Sequence, residues 1–183
     1  MTGRRQLAVT LGSLAIVVMV LMLGRMLLGS ELSPVGLGAK APDFSAQTLD
    51  SVPATRTLDD YRGNVVMVNI WATWCLPCRV EMPSIEKLHK AYSDRGLKVV
   101  AVSIDDPGTA PQVRAFVKQY GLTFEILHDP TKRISNSYQT TGYPETVIVG
   151  RDGLIRKKLL GATDWNSPDN RALIERLLGE KVE

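Results

Sequence analysis

Apolar and polar positions follow three different patterns along this chain, and each pattern predicts a different kind of element. From Leu7 to Gly24 the apolar run is nearly unbroken, with Thr10, Gly12 and Ser13 as mild interruptions. About 18 such residues can cross a bilayer as a helix, and Met26 to Leu28 extend the run. Arg4 and Arg5 precede it with no acidic residue beside them, so the positive-inside rule predicts a cytoplasmic N-terminus over 1–6 and a domain on the far side. Arg25 can snorkel to the outer interface. A cleaved signal peptide is the competing reading, but its apolar region is shorter, and the sequence Gly29 to Pro34 lacks an Ala-x-Ala site. The expectation is an uncleaved signal-anchor over 7–28, a Gly- and Pro-rich linker over 29–40, and one exported domain over 41–183.

The second pattern is a set of short runs bounded by turn residues. Phe44 to Gln47 and Ala54 to Leu58 predict short strands, and Val65 to Trp71 is apolar enough for a central strand. Leu97 to Ile104 and Phe124 to His128 predict two more. Thr146 to Val149 and Leu154 to Leu160 flank Gly150-Arg151-Asp152-Gly153 and predict a hairpin.

The third pattern is helical spacing. Met82, Ile85, Leu88 and Tyr92 recur on one face after Cys75, while Glu86 and Lys90 are spaced for an ion pair on the other. Pro83 predicts a kink there. Pro111 to Tyr120 predicts a helix capped by Thr109, with Val113, Phe116 and Val117 inward, and Thr131 to Tyr138 a short one. A last helix is marked by Ser167 as N-cap, Pro168 and Asp169 in its first turn, and a stripe of Leu173, Ile174, Leu177 and Leu178. Parallel strands joined by helices and closed by an antiparallel hairpin predict an α/β fold with a mixed sheet covered on both faces.

Charge narrows the function classes. The formal net charge of +3 falls close to neutrality once Arg4, Arg5, Arg25 and Glu31 are set aside, which leaves no basic footprint for nucleic acid. Arg156-Lys157-Lys158 reads as a solvated strand edge.

The chemistry lies in the two cysteines, Trp74-Cys75-Leu76-Pro77-Cys78, at the junction of the central strand and the helix after it. A Cys-x-x-Cys pair there reads as a redox device. The helix N-terminus favours negative charge on Cys75, which predicts Cys75 as the nucleophile and Cys78, one turn further in, as the resolving thiol. A passive staple over so short a loop would contribute only ~2 kcal/mol. A zinc site would need about four ligands, and His89 and His128 lie outside any local finger spacing.

The segments Trp71 to Pro83, Gly142-Tyr143-Pro144-Glu145-Thr146 and Ala41-Pro42-Asp43-Phe44 together resemble the TlpA/ResA/DsbE-like family of membrane-anchored bacterial thiol-disulfide oxidoreductases, which includes the cytochrome c maturation thioredoxins. The resemblance runs from about Ala41 to Leu178. It implies a thioredoxin-like mixed sheet flanked by helices, with an N-terminal β extension and a single transmembrane helix, acting on the periplasmic side of the membrane. It also implies a redox-active disulfide between Cys75 and Cys78, a cis-proline at Pro144, and a substrate surface formed by Trp74, Pro77, Tyr143 and Pro144. Glu81 matches an acidic residue implicated in proton handling, with an ordinary surface-helix glutamate as the alternative. Trp71 and Trp74 would wall the site, although core packing accounts for Trp71 equally well.

No cofactor is expected. The implied partners are disulfide-bearing proteins such as apocytochrome c, with a membrane thiol carrier of the DsbD or CcdA kind as electron donor. The dipeptide Leu76-Pro77 departs from the Glu-Pro of ResA-like sequences, so the redox potential does not carry over. Two rival readings are a peroxiredoxin, against which Ala72 stands three residues before Cys75 where that group has Thr, and a copper-binding assembly module using His128.

Overall fold

The computed structural model describes residues 2–28, 34–50 and 52–180, with side chains in the first helix described at Gly3, Gln6 and 11–24. The chain divides into two compact units, Met1–Pro34 and Val35–Glu183. In the first unit a single helix, α1 (Thr2–Leu28), takes up the long apolar run. Leu11, Leu14, Ile16, Val17, Val18, Met19, Val20, Leu21, Met22 and Leu23 are all exposed, so over 11–24 the helix has no polar face to set against an apolar one. Among the described residues no helix is long and apolar enough to cross a membrane. The described run 11–24 is shorter than the ~20 residues a span requires, and part of the span expected over 7–28 lies outside the described side chains. The first residues of the expected linker, 29–33, lie outside the described residues as well.

The second unit is built on a seven-stranded sheet. Its strands are β1 (Ser45–Thr48), β2 (Thr55–Thr57), β3 (Val65–Trp71), β4 (Leu97–Ser103), β5 (Glu125–His128), β6 (Glu145–Val149) and β7 (Ile155–Leu160), in the order β2-β1-β5-β4-β3-β6-β7. Strands β3, β4 and β5 are parallel, with Val65 to Trp71 in register with Leu97 to Ser103. β6 and β7 add on one side and β1 and β2 on the other, all antiparallel. The β1–β2 hairpin is the N-terminal β extension expected from the sequence. The helices of this unit are α2 (Leu76–Tyr92), α3 (Ala110–Tyr120), α4 (Arg133–Ser137) and α5 (Pro168–Gly179).

Every residue of β3 is buried, as a strand with neighbours on both edges and layers on both faces requires. Each large side chain buried there contributes about 1.5–3 kcal/mol. Met82, Ile85, Leu88 and Tyr92 form the inward face of α2 as their spacing predicts, and the helix runs unbroken through Pro83. Ser167 caps α5 by accepting from the Asn170 N–H.

Three expectations are corrected by tertiary packing. The linker is not free to its end: Gly38 donates to the Ile155 carbonyl at 2.8 Å, Ile155 to that of Ala39 and Ala41 to that of Gly153, both at 2.9 Å. β7 is an edge strand, and this segment covers its first residue, Ile155, and the turn before it. The basic run on β7 is not simply solvated. Lys157 Nζ donates to Asn170 Oδ1 at 2.8 Å and Lys158 Nζ to the Tyr138 carbonyl at 2.7 Å. Glu86 makes its predicted pair with Lys90 at 2.9 Å, but it is buried and also accepts from the backbone and hydroxyl of Thr123.

Candidate active site

β3 ends on Trp71, and four residues later the chain enters α2 with Cys75 as its N-cap. Between them the backbone is held from the neighbouring strand. The Asp105 carboxylate, just past β4, accepts from the Thr73 N–H at 3.0 Å and hydroxyl at 2.5 Å, and from the Ser103 hydroxyl at 2.7 Å. An acidic side chain that commits both oxygens to this loop fixes the position of the cysteine pair after it.

Cys75 and Cys78 form a disulfide with their Cα atoms 5.3 Å apart. The Cys78 N–H donates to Cys75 Sγ at 3.2 Å, so the sulfur sits where a Ser or Asp oxygen would cap a helix. That N–H and the helix dipole both favour a thiolate at Cys75. Cys75 keeps 5% of its surface and Cys78 none, and this asymmetry gives an incoming group access to Cys75 alone.

The predicted substrate-side residues converge on this pair to different degrees. Trp74 is 62% exposed and meets Tyr143 edge to face, ring centroids 6.1 Å apart. Tyr143 is held from behind by a 3.0 Å hydrogen bond between its hydroxyl and that of Ser135. The Tyr143–Pro144 peptide is cis, as the resemblance implies. Pro77 is exposed in the first turn of α2. Trp71 is fully buried against Phe116, centroids 4.9 Å apart, so of its two readings the core one holds. The open groove of about 570 Å³ between α3 and β5, lined by Arg114, Lys118 and Phe124 among others, includes none of these residues.

Glu81 lies one turn beyond Cys78 on the inward face of α2 and is only 2% exposed, which excludes the surface-helix alternative. Its Oε1 accepts from Asn69 Nδ2 at 2.8 Å and its Oε2 from Trp165 Nε1 at 3.2 Å. Burial raises its pKa to about 7, against the opposing pull of the donors Asn69, Trp165 and the Thr163 backbone. A carboxyl poised near neutrality beside a dithiol can take or give a proton in the pH range where thiols exchange.

Sequence reading missed Asn69, Thr146, Trp165 and Asp105. Asn69 had a signal, a lone amide in an otherwise apolar central strand, because a fully buried polar group needs a partner. Trp165 had none, since its contact with Glu81 spans 84 residues of sequence. His128, the candidate copper ligand, places Nε2 3.0 Å from the Asp105 carbonyl. Among the described residues no cluster of three or more His, Cys, Asp or Glu side chains is arranged to hold a metal ion.

A thioredoxin-type sheet that presents a Cys-x-x-Cys disulfide at the head of a helix, with a cis-proline leading into the strand that pairs with β3, defines a thiol-disulfide oxidoreductase. The chain belongs to the AhpC/TSA family, whose sequence model matches residues 37–158. It is 47% identical over 120 residues to the thioredoxin-like protein YneN of Bacillus subtilis, covering 65% of this chain and 68% of that one. It is 34% identical over 132 residues to the thiol-disulfide oxidoreductase ResA of Geobacillus thermodenitrificans, covering 72% and 74%. A solved thiol:disulfide interchange protein of the thioredoxin family from Chlorobium tepidum is similar in fold, with a TM-score of 0.64 and 26% identity over 78% of this chain and 97% of that one.

Proposed function

We propose that this thiol-disulfide oxidoreductase is a membrane-anchored reductase of protein disulfides on the periplasmic side of a bacterial membrane, with apocytochrome c as its substrate. The observation that carries the thiol-exchange reading is the unequal exposure of two sulfurs at one helix head, Cys75 reachable and Cys78 enclosed; the reducing direction rests on the resemblance to reductases of this kind. The Cys75 thiolate attacks a disulfide of the partner, forming a mixed disulfide and releasing one partner thiolate, which takes up a proton. Cys78 then loses its proton to the ionised Glu81 carboxylate and attacks Cys75 Sγ, which closes the Cys75–Cys78 disulfide and releases the second partner thiolate; that thiolate takes up a proton from solvent, to which Glu81 returns its own. The partner gains two electrons and two protons, and the pair is oxidised. Trp74, Pro77, Tyr143 and Pro144 form the surface on which the partner segment lies.

The apolar, uniformly exposed stretch 11–23 of α1 supports the anchor, and Arg4 and Arg5 support a cytoplasmic N-terminus. The Pro144-Glu145-Thr146 sequence supports the cytochrome c substrate, through its resemblance to maturation thioredoxins. An oxidising compartment drains reducing equivalents, so a membrane thiol carrier of the DsbD or CcdA kind restores the dithiol.

A covalent trap tests this reading. The full chain carrying Cys78→Ala, expressed in a cytochrome-producing bacterium, accumulates mixed disulfides through Cys75 in the membrane fraction. Recovery of apocytochrome c among them supports the substrate assignment. A trapped set without any c-type apocytochrome removes it and leaves the oxidoreductase standing.

A further inference from the structure

Asn69 occupies the middle of the most deeply buried strand, where an aliphatic side chain would pack without polar cost. It is fully buried, and its Nδ2 lies 2.8 Å from Glu81 Oε1 and 2.8 Å from Thr146 Oγ1. Among the described residues Asn69 Oδ1 has no hydrogen-bond partner in the protein. The amide is held by its two N–H donors, one to the carboxyl and one to the hydroxyl. Thr146 pairs directly across from Asn69 on β6, two residues after the cis-proline. One side chain thus joins the carboxyl on α2 to the strand that follows Pro144.

We propose that Asn69 is a positioning residue for Glu81: the amide nitrogen it shares between Glu81 Oε1 and Thr146 Oγ1 orients the carboxyl for proton release and ties that orientation to the strand after Pro144. This rests on the reading of Glu81 as the proton-handling group. At this carboxyl, donors oppose burial. A buried carboxyl without donors moves up by as much as 3–5 units, and each donor aimed at an oxygen favours the ionised form. Glu81 has a second side-chain donor in Trp165, from the segment before α5, and a backbone donor in Thr163. The charged residues of the packed elements, Glu145 on β6 and Asp164 in that segment, are not among the groups that shift it. Lys157 lies over the Trp165 ring at 5.3 Å and donates to Asn170, not to Glu81. On its own helix Cys78 is the titratable neighbour, and only when the disulfide is open.

The test is a carboxyl titration by NMR on the full chain in detergent micelles, with glutamate 13C labelling and Glu81 assigned by its loss in Glu81→Gln. Asn69→Leu raises the Glu81 midpoint by one unit or more, a tenfold fall in the ratio of ionised to protonated carboxyl at a given pH, and Asn69→Ala moves it the same way. In the unmutated chain the Asn69 side-chain NH2 signals titrate with the Glu81 midpoint, a readout that needs no variant to fold. An unmoved midpoint in the variants overturns the proposal, as do amide signals indifferent to Glu81. In thiol exchange, Asn69→Leu shifts the pH profile, and adds no further shift in a Glu81→Gln background. Should Glu81→Gln alone leave that profile unchanged, the role given to Glu81 fails, while the carboxyl titration still decides the role of Asn69.

Discussion

Glu81 and Glu86 lie on the same helix, and both are buried, yet their surroundings drive them in opposite directions. Burial raises Glu81, and the neutral donors Asn69 and Trp165 only partly offset it, which leaves the group near 7. Burial also pushes Glu86 upward, but the Thr123 N–H, the Thr123 hydroxyl and the Lys90 ammonium together outweigh it and hold the carboxyl below its usual value. Depth alone therefore does not decide what a carboxylate is for. A neighbouring cation and a backbone donor make Glu86 a fixed charge tying α2 to the segment before β5, whereas donors without a cation leave Glu81 able to change its protonation state.

The largest expected effect separates the two ends of α2 outright. Cys75→Ser removes the attacking sulfur and abolishes insulin-disulfide reduction, a loss of at least about a thousandfold. Measurable turnover in that variant would break the assignment of the helix head. Next in size, Glu81→Gln slows thiol exchange by roughly 100-fold, the lower end of what a positioned general acid or base contributes, and moves its pH profile. The rate at which Cys78 resolves a preformed mixed disulfide on Cys75, followed from pH 5 to 9, checks this directly.

The two carboxylates also give opposite slopes of stability against pH. Glu81 keeps its proton in the native state up to about 7, whereas in the unfolded chain it loses it near ~4.3. Its contribution to stability is therefore highest at low pH and declines by roughly 3 kcal/mol as pH rises between those values. Denaturant unfolding at stepped pH shows this decline in the unmutated chain and a flatter curve in Glu81→Gln. Glu86 has the reverse sign. Its folded value is depressed, so its contribution is present above ~4.3 and is lost as pH falls through the folded value.

Glu86→Gln lowers stability at pH 7 by about 1–2 kcal/mol, since the Thr123 donors lose a charged acceptor, and leaves the exchange rate and its pH profile unchanged. A shifted profile in Glu86→Gln would erase the distinction between the two sites. The smallest effect belongs to Lys90→Met, because the lysine end of the pair is 63% exposed and such pairs contribute at most about 1 kcal/mol.

The order of strands and helices was legible in the sequence because each element announces itself locally. Val65 to Trp71 is an apolar run bounded by a turn and by the cysteines, and β3 has those limits. Ser167-Pro168-Asp169 marks a helix start by its chemistry, and α5 begins there. The pairing of β1 onto β5 and the docking of residues 38–41 along β7 had no local signal, since edge strands accept partners from anywhere in the chain. Glu86 was misplaced for a related reason: its i,i+4 partner is visible in the sequence, whereas Thr123 comes from a different part of the fold.

The sequence by itself determined that this chain carries a Cys-x-x-Cys pair between a buried strand and a helix, because that depends on neighbours within one turn of backbone. Only the tertiary structure decided that Glu81 is enclosed and poised near neutrality, because that state requires Asn69 from β3 and Trp165 from before α5 to meet it, together with the exclusion of water. Proton affinity is set by solvation and donors in space, and neither is written in the residues adjacent to a glutamate.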